Sequence, residues 1–319
     1  MSEFIIMLRN VLIFVALAIP GYLLVKFKML KQEQSGVLSK ILMFLALPFL
    51  IFSGTVNNLS LNKEILLVMG IVLGIGILYT LIMFLISKPL AGMEKNEKTK
   101  EMIRFCSVFS NNGFLGIPLA IAVVGRESLV FTVLILLNII SNVLMYTLGT
   151  YLVSGNKQSI HIKKVLLNPV LIAFILGLVF NLLHISKFIP EVITFSDHFS
   201  SLVTPISMTV LGMKLGTISF SKIFKSTKLY YVSFLKLILF PIVIVAILLV
   251  FKNFLLTTYF DSLILGVFFA FAMPTAGLAT TFADEFNGDT ENAVVYTLGT
   301  TILSIITIPC IYWVLNILI

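Results

Sequence analysis

Asn111-Asn112-Gly113-Phe114-Leu115-Gly116-Ile117-Pro118 lies in the middle of an apolar run, about residues 103–124, that is long enough to cross a bilayer. A second stretch, Met273-Pro274-Thr275-Ala276-Gly277, interrupts another such run at about 261–283. Glycine loosens a helix because it lacks Cβ, and proline breaks one by removing an N–H donor and crowding the carbonyl four residues back. Unwound backbone at membrane depth is tolerated only where protein covers it or it lines a cavity. Two such breaks, in matching places of two halves of one chain, predict a transport site at the bilayer midplane.

Composition supplies the spans around them. The 319 residues are 59% hydrophobic and 11% charged, with a mean hydropathy of +1.10, against roughly 25% charged residues in a soluble domain. Ten apolar runs of about 20 residues stand out, at about 5–26, 36–56, 64–87, 103–124, 128–153, 165–184, 198–216, 229–251, 261–283 and 292–318. The predicted fold class is therefore an all-α polytopic membrane protein with ten transmembrane helices. The first run lacks a basic start and carries Lys26, Lys28 and Lys31 after its apolar part, so it reads as a first span and not as a signal peptide.

Charge orients these spans. Odd-numbered loops hold sixteen Lys and Arg, whereas the even loops and the N-terminus hold five (Arg9, Lys63, Arg126, Lys187 and Lys252). Short cytoplasmic loops carry the basic excess, so both termini are predicted outside the cell membrane. The +8 net charge then reflects topology and contact with anionic lipid headgroups, with no nucleic acid as partner. Cys106 and Cys310 fall toward opposite membrane faces, which implies no disulfide.

Sliding the second half over the first by about 157 to 163 residues sets Pro48 over Pro205, Ser110 over Ala272 and Ser141 over Ser304. Five spans per half is an odd number, so the halves must lie in opposite orientations. The predicted organisation is a five-helix repeat over 1–154, a cytoplasmic connector over 155–164, and a second, inverted repeat over 165–319. The broken fourth and ninth spans would then meet near a two-fold axis in the membrane plane.

A break exposes backbone amides at the start of the next half-helix, where the positive end of its dipole favours an anion. The candidate substrate residues are Asn111, Asn112, Gly113, Gly116 and Pro118 in the fourth span and Pro274, Thr275, Ala276 and Gly277 in the ninth. Lys236 is the one ionisable residue clearly inside a span, and no Asp or Glu occupies a span core, which disfavours a cationic substrate. Asn138 and Asn142, four apart, share a helix face that meets either the substrate cavity or a neighbouring helix. Ser53, Ser207 and Thr209 are weaker candidates. His161, His184 and His198 have no metal-ligand spacing, no catalytic or nucleotide-binding motif is present, and no cofactor is implied.

Ser110 to Pro118, Met273-Pro274 through Phe282-Ala283-Asp284-Glu285-Phe286-Asn287, and Lys236-Leu237 with Pro241 resemble the auxin efflux carrier family. That family includes plant auxin exporters and bacterial permeases for malate and malonate, and the resemblance covers essentially the whole chain. It implies a scaffold of spans one, two, six and seven, a transport part of spans three to five and eight to ten, crossing helices four and nine, and a homodimer. It also implies that Asn111 meets a substrate carboxylate and that Pro118 and Pro274 mark the crossover. Thr275-Ala276 stands where plant members carry a polar residue after the proline, which weakens the case for an indole-type substrate.

The sequence thus leads to a secondary transporter of small organic anions that works by alternating access with an elevator-type movement, and not to an enzyme. The alternatives are a sodium-coupled organic-anion symporter and a non-transporting membrane sensor built on a carrier fold.

Overall fold

The computed structural model describes residues 3–59, 62–126, 128–160, 162–216, 220–252 and 259–319. The principal helices are α1 (Glu3–Lys26), α2 (Gln32–Asn58), α3 (Lys63–Leu90), α4 (Glu97–Val108), α5 (Asn112–Val124), α6 (Leu129–Ser154), α7 (Pro169–Leu182), α8 (Glu191–Ser200), α9 (Val203–Leu215), α10 (Thr227–Val250), α11 (Phe260–Phe271), α12 (Ala279–Glu285) and α13 (Thr290–Leu318). Among the described residues the only β pairing is one isolated antiparallel bridge between Ser110 and Thr275.

Every predicted apolar run contains helix, yet among the described residues six helices (α1, α2, α3, α6, α10 and α13) are individually long and apolar enough to cross a membrane. The others are shorter for local reasons. The fourth run divides into α4 and α5, and the ninth into α11 and α12. In the sixth a short helix, Ile162–Leu166, stops ahead of α7, which starts at Pro169, where the Asn168 side chain accepts from the Val170 N–H at 2.9 Å and caps the helix. A turn at Ser201-Leu202 separates α8 from α9 in the seventh. In the other direction, α4 begins ahead of its apolar run because Asn96 caps it, accepting from the Thr99 N–H at 3.2 Å.

Proline shapes the long helices without cutting them. Wide turns with i→i−5 hydrogen bonding occupy Leu42–Ala46, Asn112–Gly116 and Leu235–Leu239, each ending two residues before a proline: Pro48, Pro118 and Pro241. A proline ring collides with the carbonyl four residues back, and widening the preceding turn removes that collision. Pro118 therefore sits one residue inside a continuing helix, and the fourth-span break falls earlier, at Phe109 to Asn111.

The interior is built on α6, where 72% of the most apolar stretch is buried, against 28% for α1. Helices α3 and α11 pack on α6, α1 packs on α9, and α2 packs on α7. Two of these contacts depend on glycine. A Cβ on Gly21 of α1 would stand 2.1 Å from the Thr209 carbonyl oxygen of α9, and one on Gly177 of α7 would stand 3.0 Å from the Phe52 carbonyl oxygen of α2. Where no hydrophobic drive separates helices from lipid, small residues bring backbones into dispersion contact and hold the pair.

Candidate functional site

The two interrupted stretches meet. The Asn111 N–H donates to the Pro274 carbonyl at 2.8 Å, and the Ala276 N–H donates to the Phe109 carbonyl at 2.9 Å. Backbone groups left over by each break thus satisfy those of the other, which removes the cost of orphaned amides and carbonyls in an apolar interior. The Thr275 N–H takes Thr300 Oγ1 at 3.2 Å, and Thr275 Oγ1 donates to the Cys106 carbonyl at 2.9 Å. The amides of Thr275 and Ala276, expected to be open for a ligand, are engaged in holding the junction.

A second layer of side chains braces it. Lys236, fully buried, donates from Nζ to the Ser110 hydroxyl and to the Val108 carbonyl at 3.4 Å. On the other side, Asn138 Nδ2 donates to Asn112 Oδ1 at 2.8 Å and Asn112 Nδ2 donates to Ser141 Oγ at 3.0 Å. Asn142 Nδ2 closes the chain on the Asn138 carbonyl at 2.8 Å. Asn112 is 3% exposed and both ends of its amide are used, so its present work is to fix α5 against α6.

Asn111 behaves differently. Its side chain has no hydrogen-bond partner among the described residues, and it lines a cavity of about 880 Å³. The cavity is bounded by α2, α9, α12 and α13 and includes Asn111, Phe114, Tyr146, Gly277, Thr297 and Thr301 in its wall. A smaller void of about 40 Å³ adjoins it and is lined by Asn111, Asn112, Gly113, Asn138, Asn142, Ala276 and Gly277. Gly116, Pro118, Pro274, Thr275 and Lys236 line neither space. Gly116 is a packing position, since a Cβ there would stand 2.4 Å from the Phe269 carbonyl oxygen. Gly277 lies at the cavity beside Asn111, whose amide nitrogen and oxygen would each be 3.7 Å from a Cβ at that position.

Lys214 was hidden among the cytoplasmic cations of the sequence. It belongs to the last turn of α9 and lines the large cavity, where its Nζ donates to the Gly277 carbonyl at 3.1 Å. The signal available in the sequence is its position between Gly212 and Gly216, a small-residue pair that ties the helix to a neighbour. Among the described residues no group of His, Cys, Asp or Glu is placed to hold a metal ion, and His161 lies outside them.

Comparison with known proteins identifies the family of the chain. The family described as "Membrane transport protein" matches over residues 5–165 and 158–312. An uncharacterized transporter of Methanothermobacter thermautotrophicus is 28% identical over 309 residues, covering 94% of this chain and 96% of the relative. Another, from Methanocaldococcus jannaschii, is 30% identical over 218 residues, covering 65% of this chain and 68% of the relative. The chain is a multi-pass membrane protein and belongs to the membrane transport protein family of the auxin efflux carriers.

Proposed function

We propose that this transporter is a secondary carrier of small organic anions, carboxylates of the malate, malonate or auxin-like kind, in the cell membrane. The observation that carries the reading is the Asn111 amide, unpartnered among the described residues and set in a cavity wall at the point where the two interrupted stretches bond to each other. An amide held there offers an N–H donor to a carboxylate, and the start of α5, where Asn112 and Gly113 line the adjoining small void, carries the positive end of that helix's dipole.

The movement we propose is alternating access between a scaffold (α1, α2, α7, α8 and α9) and a transport part made of the remaining helices. It rests on ten spans in two inverted repeats of five, with the fourth and ninth crossing. Packing supports the repeat: Gly177 lies 156 residues after Gly21, and Thr209 lies 157 residues after Phe52, so the two glycine-to-carbonyl contacts correspond as a pair. The cavity reaches Lys40 and Lys163, on the face that charge asymmetry assigns to the cytoplasm. Both termini lie outside in this reading, and the functional unit is a homodimer.

Sodium coupling is the weaker reading. A sodium ion at the junction would need the Ser110 hydroxyl and the Val108 carbonyl, and the Lys236 Nζ already uses both.

Purified protein in liposomes, loaded with unlabelled malate, malonate or indole-3-acetate, should take up the labelled acid by counterflow, with or without sodium. Absence of counterflow together with absence of thermal stabilisation by every acid would remove the organic-anion reading, while the family assignment would stand.

A further inference from the structure

The position of Lys214 follows from how α9 is held. Gly212 and Gly216 both face α1: a Cβ on Gly212 would lie 1.9 Å from the Ala18 carbonyl oxygen, and one on Gly216 would lie 2.9 Å from Val25 Cβ. At about 100° per residue, a residue midway between them points to the opposite side of the helix. Lys214 is therefore aimed away from α1 and across the cavity toward the ninth-span stretch, and no rotation of α9 is available to turn it elsewhere without driving a glycine face off α1. Its donation to the Gly277 carbonyl, at 3.1 Å, is the result.

That partner is incomplete. An ammonium has three donors and a full positive charge, whereas a carbonyl offers a dipole. The Gly277 carbonyl is a neutral acceptor and leaves that charge without a formal counter-charge in the bond. The cavity wall as a whole is electrically balanced, with Lys40, Lys163 and Lys214 set against Glu33, Asp284 and Glu285. Selection of an anion therefore depends on local placement and not on net charge. Lys214 is the cation placed at Gly277, the residue that the Asn111 amide also approaches.

We infer that Lys214 is a substrate-contacting residue: its ammonium receives the carboxylate of the transported anion, with Asn111 as the neutral donor beside it, and the Gly277 carbonyl holds the ammonium when the site is empty. This assignment rests on the organic-anion reading above. It adds a recognition group that comes from the scaffold side of the cavity, so a bound anion would touch both α9 and the junction of the interrupted stretches.

The test uses full-length protein in liposomes. Counterflow is measured for acetate, benzoate, malonate, malate and indole-3-acetate, and the acid with saturable wild-type flux serves as probe. Lys214→Met and Lys214→Gln should each raise its half-saturating concentration about 10-fold or more, because both lose the positive charge that strengthens a bond to a carboxylate, and methionine loses the donor as well. Lys214→Arg should remain within about threefold of wild type, since the charge is kept. Glutamine can still donate to the Gly277 carbonyl, so a purely structural role predicts near-normal transport for Lys214→Gln and loss for Lys214→Met. Saturable wild-type flux with an unchanged half-saturating concentration in Lys214→Gln overturns the assignment. If Lys214→Met does not elute as a monodisperse peak, Gln and Arg carry the comparison. A wild type that transports none of the acids and is thermally stabilised by none overturns the organic-anion reading, and Lys214 falls with it; where an acid stabilises without counterflow, its affinity by thermal shift replaces the half-saturating concentration in the same comparison.

Discussion

Asn111 donates its backbone N–H to the Pro274 carbonyl at 2.8 Å and leaves its side-chain amide free of hydrogen bonds among the described residues. The backbone of this residue holds the junction and its side chain faces the cavity, and only the second is removed by truncation. Asn111→Ala should weaken binding of a carried acid about 10-fold or more, the worth of a hydrogen bond to a charged acceptor. The melting temperature without substrate should stay within about 2 °C of wild type, because surface-accessible substitutions that break no contact are nearly neutral. Thermal shift titration measures both. Equal affinities would exclude the Asn111 amide from the site.

Asn112 gives the opposite expectation. Its amide joins Asn138 at 2.8 Å and Ser141 at 3.0 Å, in a region only 3% exposed. Asn112→Ala leaves the Asn138 and Ser141 groups short of a partner and should cost about 1–3 kcal/mol of stability. The expected readout is a melting temperature lowered by several degrees with or without ligand. An unchanged melt would show that these groups re-pair elsewhere.

The contrast between these neighbours marks how far the sequence could be read. Glycine and proline marked both interrupted spans, and the apolar runs located helix in every predicted span. The residues alone left Asn111 and Asn112 equivalent and only the family resemblance singled out Asn111, because the choice follows from the wide turn at Asn112–Gly116. Sequence patterning shows that Pro118 disturbs a helix but does not show that widening the turn absorbs the disturbance and moves the break to Phe109–Asn111. Lys214 was invisible for a related reason. Near the end of an apolar run, a lysine that points to water and one that points into a cavity have the same neighbours in the chain. Only the contact of Gly212 and Gly216 with α1 separates them.

That contact is itself testable. Gly212→Ala would put a methyl group 1.9 Å from the Ala18 carbonyl oxygen, and the obstacle is backbone that cannot rotate aside. The α1–α9 pair must separate, at a cost of at least about 1–3 kcal/mol. Gly36→Ala, where nothing lies within 4 Å, is the control. The expected result is lower yield and a lower melting temperature for Gly212→Ala alone. Matching melts for the two variants would mean that α9 tolerates displacement, and with it a different aim for Lys214.

Arg126, just beyond α5, forms an ion pair with Asp197 of α8 at 2.9 Å, donates to the Ser53 hydroxyl of α2, and accepts at its carbonyl from Asn58 Nδ2 at 2.6 Å. Lys40 of the same α2 lines the cavity, about 27 Å from Asn58 at 1.5 Å per residue, so the ion pair lies toward the end of α2 away from the cavity, where the proposed alternating access would require a closed side. A partly exposed pair adds at most about 1 kcal/mol to stability. Asp197→Asn should therefore melt like wild type while favouring opening at the Arg126 end. With Cys310 replaced by serine, a Phe114→Cys probe should react faster with a membrane-impermeant maleimide applied from that side. An unchanged rate would leave the pair without a part in gating.

Asp289 links α13 to α4 outside the membrane spans. It accepts from the Thr99 hydroxyl at 2.5 Å, from the Asn292 N–H at 3.0 Å and from Asn292 Nδ2 at 2.7 Å. Partial burial pushes its carboxyl pKa up, but these hydrogen bonds together outweigh burial and hold it below the ordinary aspartate value. A carboxylate with a lowered folded-state pKa stabilises above its unfolded pKa of about 3.9, and the contribution disappears as pH falls through the lower folded value. Asp289→Asn retains a side-chain oxygen for capping and loses the charge. It should melt below wild type at pH 7, and the gap should narrow as pH drops below about 4. Melting curves between pH 7 and pH 3 measure that gap, and a difference constant across the range would assign the effect to shape and not to charge.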